Sequence, residues 1–248
     1  MDTDRRFWLK HAVWPLLLFF MVAATAATTS LDESIERAWA FNAQLGRFIG
    51  TGPGEWWARE LIHGAGGSVM RGLGALLLLS WVATLSTETL RPWRRPASFL
   101  VLSIALGTGT VSLLKETTNV DCPQALAEFG GQRPYVQLLG VRPPALPQGR
   151  CFPGGHSSSG FALFALYFLY LTRSRRLARA SLALALLVGG VFAFGQEARG
   201  SHFLSHDIWS AAIVWFTCLG TYTLVYRRNV WDSAGSPCTV GAVPDTST

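Results

Sequence analysis

Charge is scarce in this chain. Only 15% of its 248 residues are Asp, Glu, Lys or Arg, against roughly 25% in an ordinary soluble domain. Acids are scarcer than bases, 15 against 21, yet no block of basic residues interleaves with aromatics, so the surplus does not describe a nucleic-acid surface. No internal repeat is visible, which excludes a solenoid. No His-Glu-x-x-His run occurs, which removes the commonest helical zinc signature. Charged residues do not sit midway along the apolar stretches, where a transporter would carry them.

Half the residues are hydrophobic, and they come in runs. A bilayer core takes about 20 apolar residues per helix. Six stretches approach that length, at about 12–28, 67–86, 97–115, 157–172, 180–196 and 207–226. They predict an all-α bundle of six transmembrane helices in one membrane domain over 1–229, followed by a polar, turn-rich tail over 230–248 expected to be disordered in the cytoplasm. The basic residues fix the orientation. Arg5, Arg6 and Lys10 precede the first run, Arg91, Arg94 and Arg95 follow the second, Arg173 to Arg179 follow the fourth, and Arg227 and Arg228 close the sixth. These segments are short and almost free of acids, so they and both termini belong in the cytoplasm. A cleaved signal peptide ending near Ala23–Ala27 is the alternative for the first run. It would change the helix count without turning the rest over.

The opposite segments, 29–66, 116–156 and 197–206, then face outward. In the first, Leu31, Ile35, Ala38 and Trp39 recur at helical spacing with Asp32, Glu33, Glu36 and Arg37 between them, which predicts an amphipathic interfacial helix. The second is long and proline-rich, as functional loops often are. It holds Cys122 and Cys151, which an oxidising compartment would let pair, although two free thiols fit equally. A disulfide there would close a loop of about 30 residues and stabilise by about 3–4 kcal/mol on the chain-entropy account. Cys218 and Cys238 are expected to stay reduced.

The outer segments also carry the unusual polar residues. Lys115 ends the third run. Gly154-Gly155-His156 opens the fourth, with Ser157, Ser158 and Ser159 behind it. Gln196, Arg199, His202 and His206 follow the fifth. Imidazoles titrate near neutrality and can serve as nucleophile or proton donor. Glycine amides at a helix start cradle an anion, and a lysine or arginine compensates its charge. That combination points to phosphoryl chemistry without a metal. His11 and His63 lie outside these motifs and receive no role.

The layout resembles the type 2 phosphatidic acid phosphatase superfamily, whose signatures are Lys-x6-Arg-Pro, Pro-Ser-Gly-His and Ser-Arg-x5-His-x3-Asp. Here Lys115 to Pro123 is similar to the first, Pro153-Gly154-Gly155-His156 to the second, and Gly195 to His206 to the third. The resemblance implies a membrane enzyme hydrolysing a lipid phosphate or pyrophosphate. His202 would attack phosphorus to form a phosphohistidine, and His156 would protonate the leaving oxygen. Lys115, Gly154, Gly155, Ser157, Arg199 and Gln196 would hold the phosphate, with no cofactor and no metal. The chain departs from the pattern at Cys122 and Gln196, where arginines are expected, at Gly154, where serine is expected, and at His206, where the orienting aspartate is expected. His206 could orient His202 instead, and Arg199, Arg133 or Arg150 could return the lost charge. Two other readings stay open: phosphoryl transfer from lipid to lipid, and a metal-dependent hydrolase with His202 and His206 as ligands on one helix face. Paired outer cysteines suggest a bacterial inner membrane with the site facing the periplasm.

Overall fold

The computed structural model of the chain describes residues 2–137 and 140–227. The tail expected over 230–248 lies outside the described residues. Among the described residues, five helices are long and apolar enough to cross a membrane. They are α1 (Asp4–Ala26), α3 (Trp57–Ser86), α4 (Glu88–Thr117), α7 (Arg175–Glu197) and α8 (Leu204–Arg227). The strand content is a two-residue hairpin, β1 (Phe41–Asn42) against β2 (Arg47–Phe48), antiparallel with Phe41 opposite Phe48.

The run expected to be the fourth of six spans differs. It forms two seven-residue helices, α5 (Gly155–Phe161) and α6 (Phe164–Tyr170). Between them the backbone bonds shorten to i→i−3, from Leu163 N–H to Gly160 C=O and from Ala165 N–H to Ala162 C=O, the tighter pattern that ends an α-helix. This pair is the centre of the bundle. Phe161, Phe164, Ala165, Tyr167 and Phe168 are buried in one cluster with Phe99 of α4, Ala185 of α7, and Val214 and Trp215 of α8. Glycines allow the closest approach: a Cβ on Gly160 would stand 2.7 Å from the Cα of Gly189 on α7. Such small-residue contacts let helices associate where burial from water contributes nothing.

The outward faces reverse the soluble pattern. Phe20, Leu76, Leu79, Leu113 and Leu187 are exposed, and contiguous apolar exposure on this scale requires a covering phase. Several polar groups inside the bundle are paired. Ser103 on α4 and Thr221 on α8 share a hydrogen bond of 2.6 Å, and His11 on α1 bonds the Tyr167 hydroxyl at 2.8 Å. His11 is thus a core residue of the bundle.

The outer segments fold over one end as a cap. Ala40, Phe48, Leu126, Phe129 and Phe203 form a second buried cluster drawn from three separate loops. The first loop was expected to carry an amphipathic helix with its acids outward. A short helix does form, α2 (Leu31–Ile35), continued by a wider turn over Glu36–Ala40, but its buried face is Asp32, Glu36 and Ala40. The cause is a distant partner. Asp32 accepts hydrogen bonds from the Ser205 amide (3.1 Å) and the Ser205 hydroxyl, capping the exposed amides that open α8.

Candidate active site

Three segments meet beneath this cap. The first is the turn 198–203, between α7 and α8. The Gly50 amide donates to Ala198 C=O (2.7 Å) and the Gln124 amide to Gly200 C=O (2.9 Å), so both outer loops strap it down. Gly200 takes φ +63°, and the Phe48 ring lies where a side chain would project, so only glycine fits. His202 follows and is buried. Its Nδ1 stands 3.0 Å from Asp207 Oδ1. A carboxylate only accepts, so Nδ1 carries the proton and the ring's lone pair sits on Nε2.

This corrects the expectation for His206. His202 precedes the first turn of α8, so it and His206 do not share a helix face; their ring centroids are 6.2 Å apart. The residue one step further round, Asp207, reaches the imidazole instead. His206 is buried against Phe152 and Phe203, with centroids 5.3 and 5.5 Å away. The same offset removes the geometry on which a His202–His206 metal pair depended. Among the described residues no group of three or more His, Cys, Asp or Glu side chains is placed to hold a metal ion.

The second segment is the turn into α5. Gly154 lies on the His202–Asp207 pair. A Cβ there would fall on top of Asp207 Oδ1 and 2.8 Å from His202 Nδ1. The serine of the signature could not occupy this position while residue 207 supplies the carboxylate. Two departures that looked independent in sequence therefore compensate each other in space. Gly154 does not offer its amide to a phosphate, however. That N–H donates to His206 C=O at 3.0 Å. Ser157 is likewise committed, its hydroxyl donating to Asp207 Oδ1 (2.5 Å). Gly155 is the glycine that remains suited to an anion. A Cβ on it would stand 3.4 Å from Lys115 Nζ at the end of α4, so backbone and ammonium are adjacent.

His156 comes next, its ring stacked on Phe192 with centroids 4.2 Å apart. Its Nε2 donates to Ile62 C=O (3.2 Å), which leaves the lone pair on Nδ1.

The third segment is α3, which the sequence reading passed over. His63, Gly67 and Arg71 recur every fourth residue and line a cavity of about 660 Å³ together with His156, Gly155 and apolar residues of α4, α5 and α6. His63 lies 4.6 Å from His156, ring to ring. The spacing of 63, 67 and 71 was the available signal, since it puts a histidine and an arginine along one face of a mostly apolar helix.

The loop arginines do not return the missing charge. Arg133 and Arg142 both bind Asp121. Burial alone would raise that carboxyl, but the two guanidinium groups outweigh it and hold it below the usual range. Arg150 pairs with Glu116 at 3.2 Å. Where the first signature has its arginine, Cys122 is bonded to Cys151, with Cα atoms 5.1 Å apart. Gln196 is buried; its amide meets His63 Nδ1 at 2.6 Å, and Arg199 Nη1 donates to its Oε1 at 3.3 Å.

An apolar bundle with a His–Asp pair, a glycine turn and a lysine gathered at one end defines the class. The PAP2 superfamily profile matches residues 96–230, more than half the chain, and the chain belongs to that family. It is 25% identical over 143 residues to a lipid A 4'-phosphatase of Francisella tularensis subsp. novicida (strain U112), a stretch covering 55% of this chain and 61% of that protein. No solved structure matches it.

Proposed function

We propose that the chain is an integral membrane phosphatase acting on a lipid phosphate or pyrophosphate, with a phosphohistidine intermediate on His202. The observation that carries this reading is the His202–Asp207 pair seated on Gly154, with Lys115 Nζ beside Gly155. His202 Nε2 attacks phosphorus as the bond to the lipid oxygen breaks, and the departing oxygen takes a proton from His156. A phosphoryl anion bound beside His156 favours its imidazolium form, because a nearby negative charge stabilises the protonated ring. Water then attacks the phosphohistidine and gives its proton to neutral His156. Inorganic phosphate leaves, and His202 regains its lone pair. Asp207 holds the tautomer and stabilises the positive ring. Lys115 and the Gly155 amide oppose the charge on the phosphoryl oxygens.

The apolar cavity ending at His156 supports a substrate with long acyl or prenyl chains. A second, polar pocket of about 490 Å³ lies on the outer side, lined by Arg59, Arg199, Glu55, Glu60 and Trp56 among others. It supports a bulky polar head, such as the lipid A named for the Francisella relative. In this reading α5 and α6 together make the short central crossing of six, both termini are cytoplasmic, and the site faces the periplasm of a bacterial inner membrane. The test is a phosphate-release screen in detergent over phosphatidate, phosphatidylglycerol phosphate, polyprenyl pyrophosphate and lipid A, with His156→Ala and His202→Ala as controls. Release from at least one lipid, abolished by His202→Ala, is expected. Release that survives that change removes the mechanism.

A further inference from the structure

We infer that His63 is a phosphate-binding residue, taking the place of the arginine that the third signature lacks here. The inference rests on the phosphatase reading above. Its argument is a chain of hydrogen bonds whose polarity is fixed from one end. Arg199 Nη1 faces Gln196 Oε1 at 3.3 Å. A guanidinium only donates, so this contact sets the Gln196 amide with its oxygen toward Arg199. The amide nitrogen then points the other way, to His63 Nδ1, 2.6 Å off. An amide N–H donates, so Nδ1 accepts and the ring proton of His63 sits on Nε2. Gln196 is buried, which holds its amide in this orientation.

The Nε2–H of His63 belongs to a ring that is exposed and lines the same cavity as Gly155 and His156. The position that carries an arginine in the signature thus carries a glutamine that presents a histidine from another helix. Gln196 is a positioning residue, and His63 is the donor that meets a phosphoryl oxygen. The cavity geometry suits this. Gly67, one turn beyond His63, leaves room for His156, since a Cβ on it would stand 3.2 Å from that ring. His63 and His156 can therefore flank one anion.

The test measures orthovanadate binding by calorimetry and lipid-phosphate turnover on the same detergent-purified protein. His63→Ala is expected to weaken vanadate and to lower kcat/KM by about ten- to a hundredfold, the range for losing a hydrogen bond to a charged group. The decisive variant is His63→Ala combined with Gln196→Arg, which restores the signature arginine into the space His63 vacates. Recovery of vanadate affinity to within a fewfold of wild type is expected, and a packing role for His63 would not produce it. The inference is overturned if His63→Ala binds vanadate as wild type does, or if it weakens binding and the double variant does not recover. Should His63→Ala unfold in detergent, His63→Gln, which keeps an N–H donor, is expected to bind vanadate within about tenfold of wild type, and no binding by that folded variant overturns the inference. Turnover that survives His202→Ala instead overturns the phosphohistidine reading, whatever the vanadate result.

Discussion

The two limbs of the site depart from their family's signatures in different ways. On the limb proposed to supply the nucleophile, His202, the aspartate stands at 207 instead of 206 and residue 154 is glycine instead of serine. The product is still a His–carboxylate pair of ordinary geometry, 3.0 Å between Nδ1 and Oδ1. On the anion limb, neither expected arginine is present, and the residues in their places are a disulfide cysteine and a glutamine bonded to a histidine. The first limb keeps its geometry through a compensated pair of changes. The second keeps Lys115, and in the proposed mechanism its further donors are the Gly155 amide and His63 of α3. A nucleophile has to approach along one line, so its orientation tolerates little change, whereas positive charge around three phosphoryl oxygens can arrive from several directions.

That contrast can be pressed experimentally. The largest effect is expected from Asp207→Asn, which keeps the shape but releases the tautomer; kcat should fall by about 10² to 10⁴. A fall of less than threefold would mean that the pair is structural. Gly154→Ala comes next, since its methyl group lands on the Asp207 oxygen. Kinetics should show at least about tenfold loss, with a lowered thermal midpoint, because overpacking costs about 1–3 kcal/mol. If the two departures compensate, Gly154→Ser is expected to be tolerated better once His206→Asp and Asp207→Ala have returned the carboxylate to 206.

The anion limb gives smaller and more graded numbers. Lys115→Ala should raise KM and reduce kcat/KM by about ten- to a hundredfold. Arg150→Ala should stay within about twofold, because its guanidinium serves an exposed ion pair with Glu116 that contributes little. Equal effects from these two changes would erase the distinction between them.

The smallest effect tests the cap over the site. Glu36 is fully buried, and among the described residues its carboxyl oxygens have no hydrogen-bond partner. Burial, with the neighbouring Glu197, Asp32 and Asp207 charges, pushes it up to about 9. Its folded value lies above its unfolded one, so its stabilising effect is complete below the unfolded value near 4.3 and declines as pH rises toward 9. Thermal midpoints at pH 5 and pH 8.5 should therefore diverge more in wild type than in Glu36→Gln. Identical divergence would show that Glu36 does not titrate in this window.

How much of this was legible beforehand depends on range. The long apolar runs could be read because a bilayer imposes length and composition directly on the chain, and five of the six emerged as long helices. The central run did not. Its glycine-rich start and its tightening at 160–166 answer to the helices around it, which no local pattern reports. Lys115, Gly155 and His156 stood out because each lies at an end of an apolar run, and His202 because it lies in the short polar turn between two such runs. The partners were not. Asp32 caps α8 across 173 residues and Gln196 meets His63 across 133, so neither contact leaves a mark in spacing. Asp207 in place of His206 turned on where α8 begins, two residues after His202, and helix starts are poorly fixed by sequence alone.

The measurement that bears most directly on the account is a rapid alkaline quench of the enzyme during turnover of a lipid labelled in its phosphate, followed by peptide mapping. One acid-labile, base-stable phosphoryl group on His202 is predicted, absent from His202→Ala and reduced in Asp207→Asn. Label on any other residue, or turnover without protein-bound label under conditions where His156→Ala slows release, would contradict it.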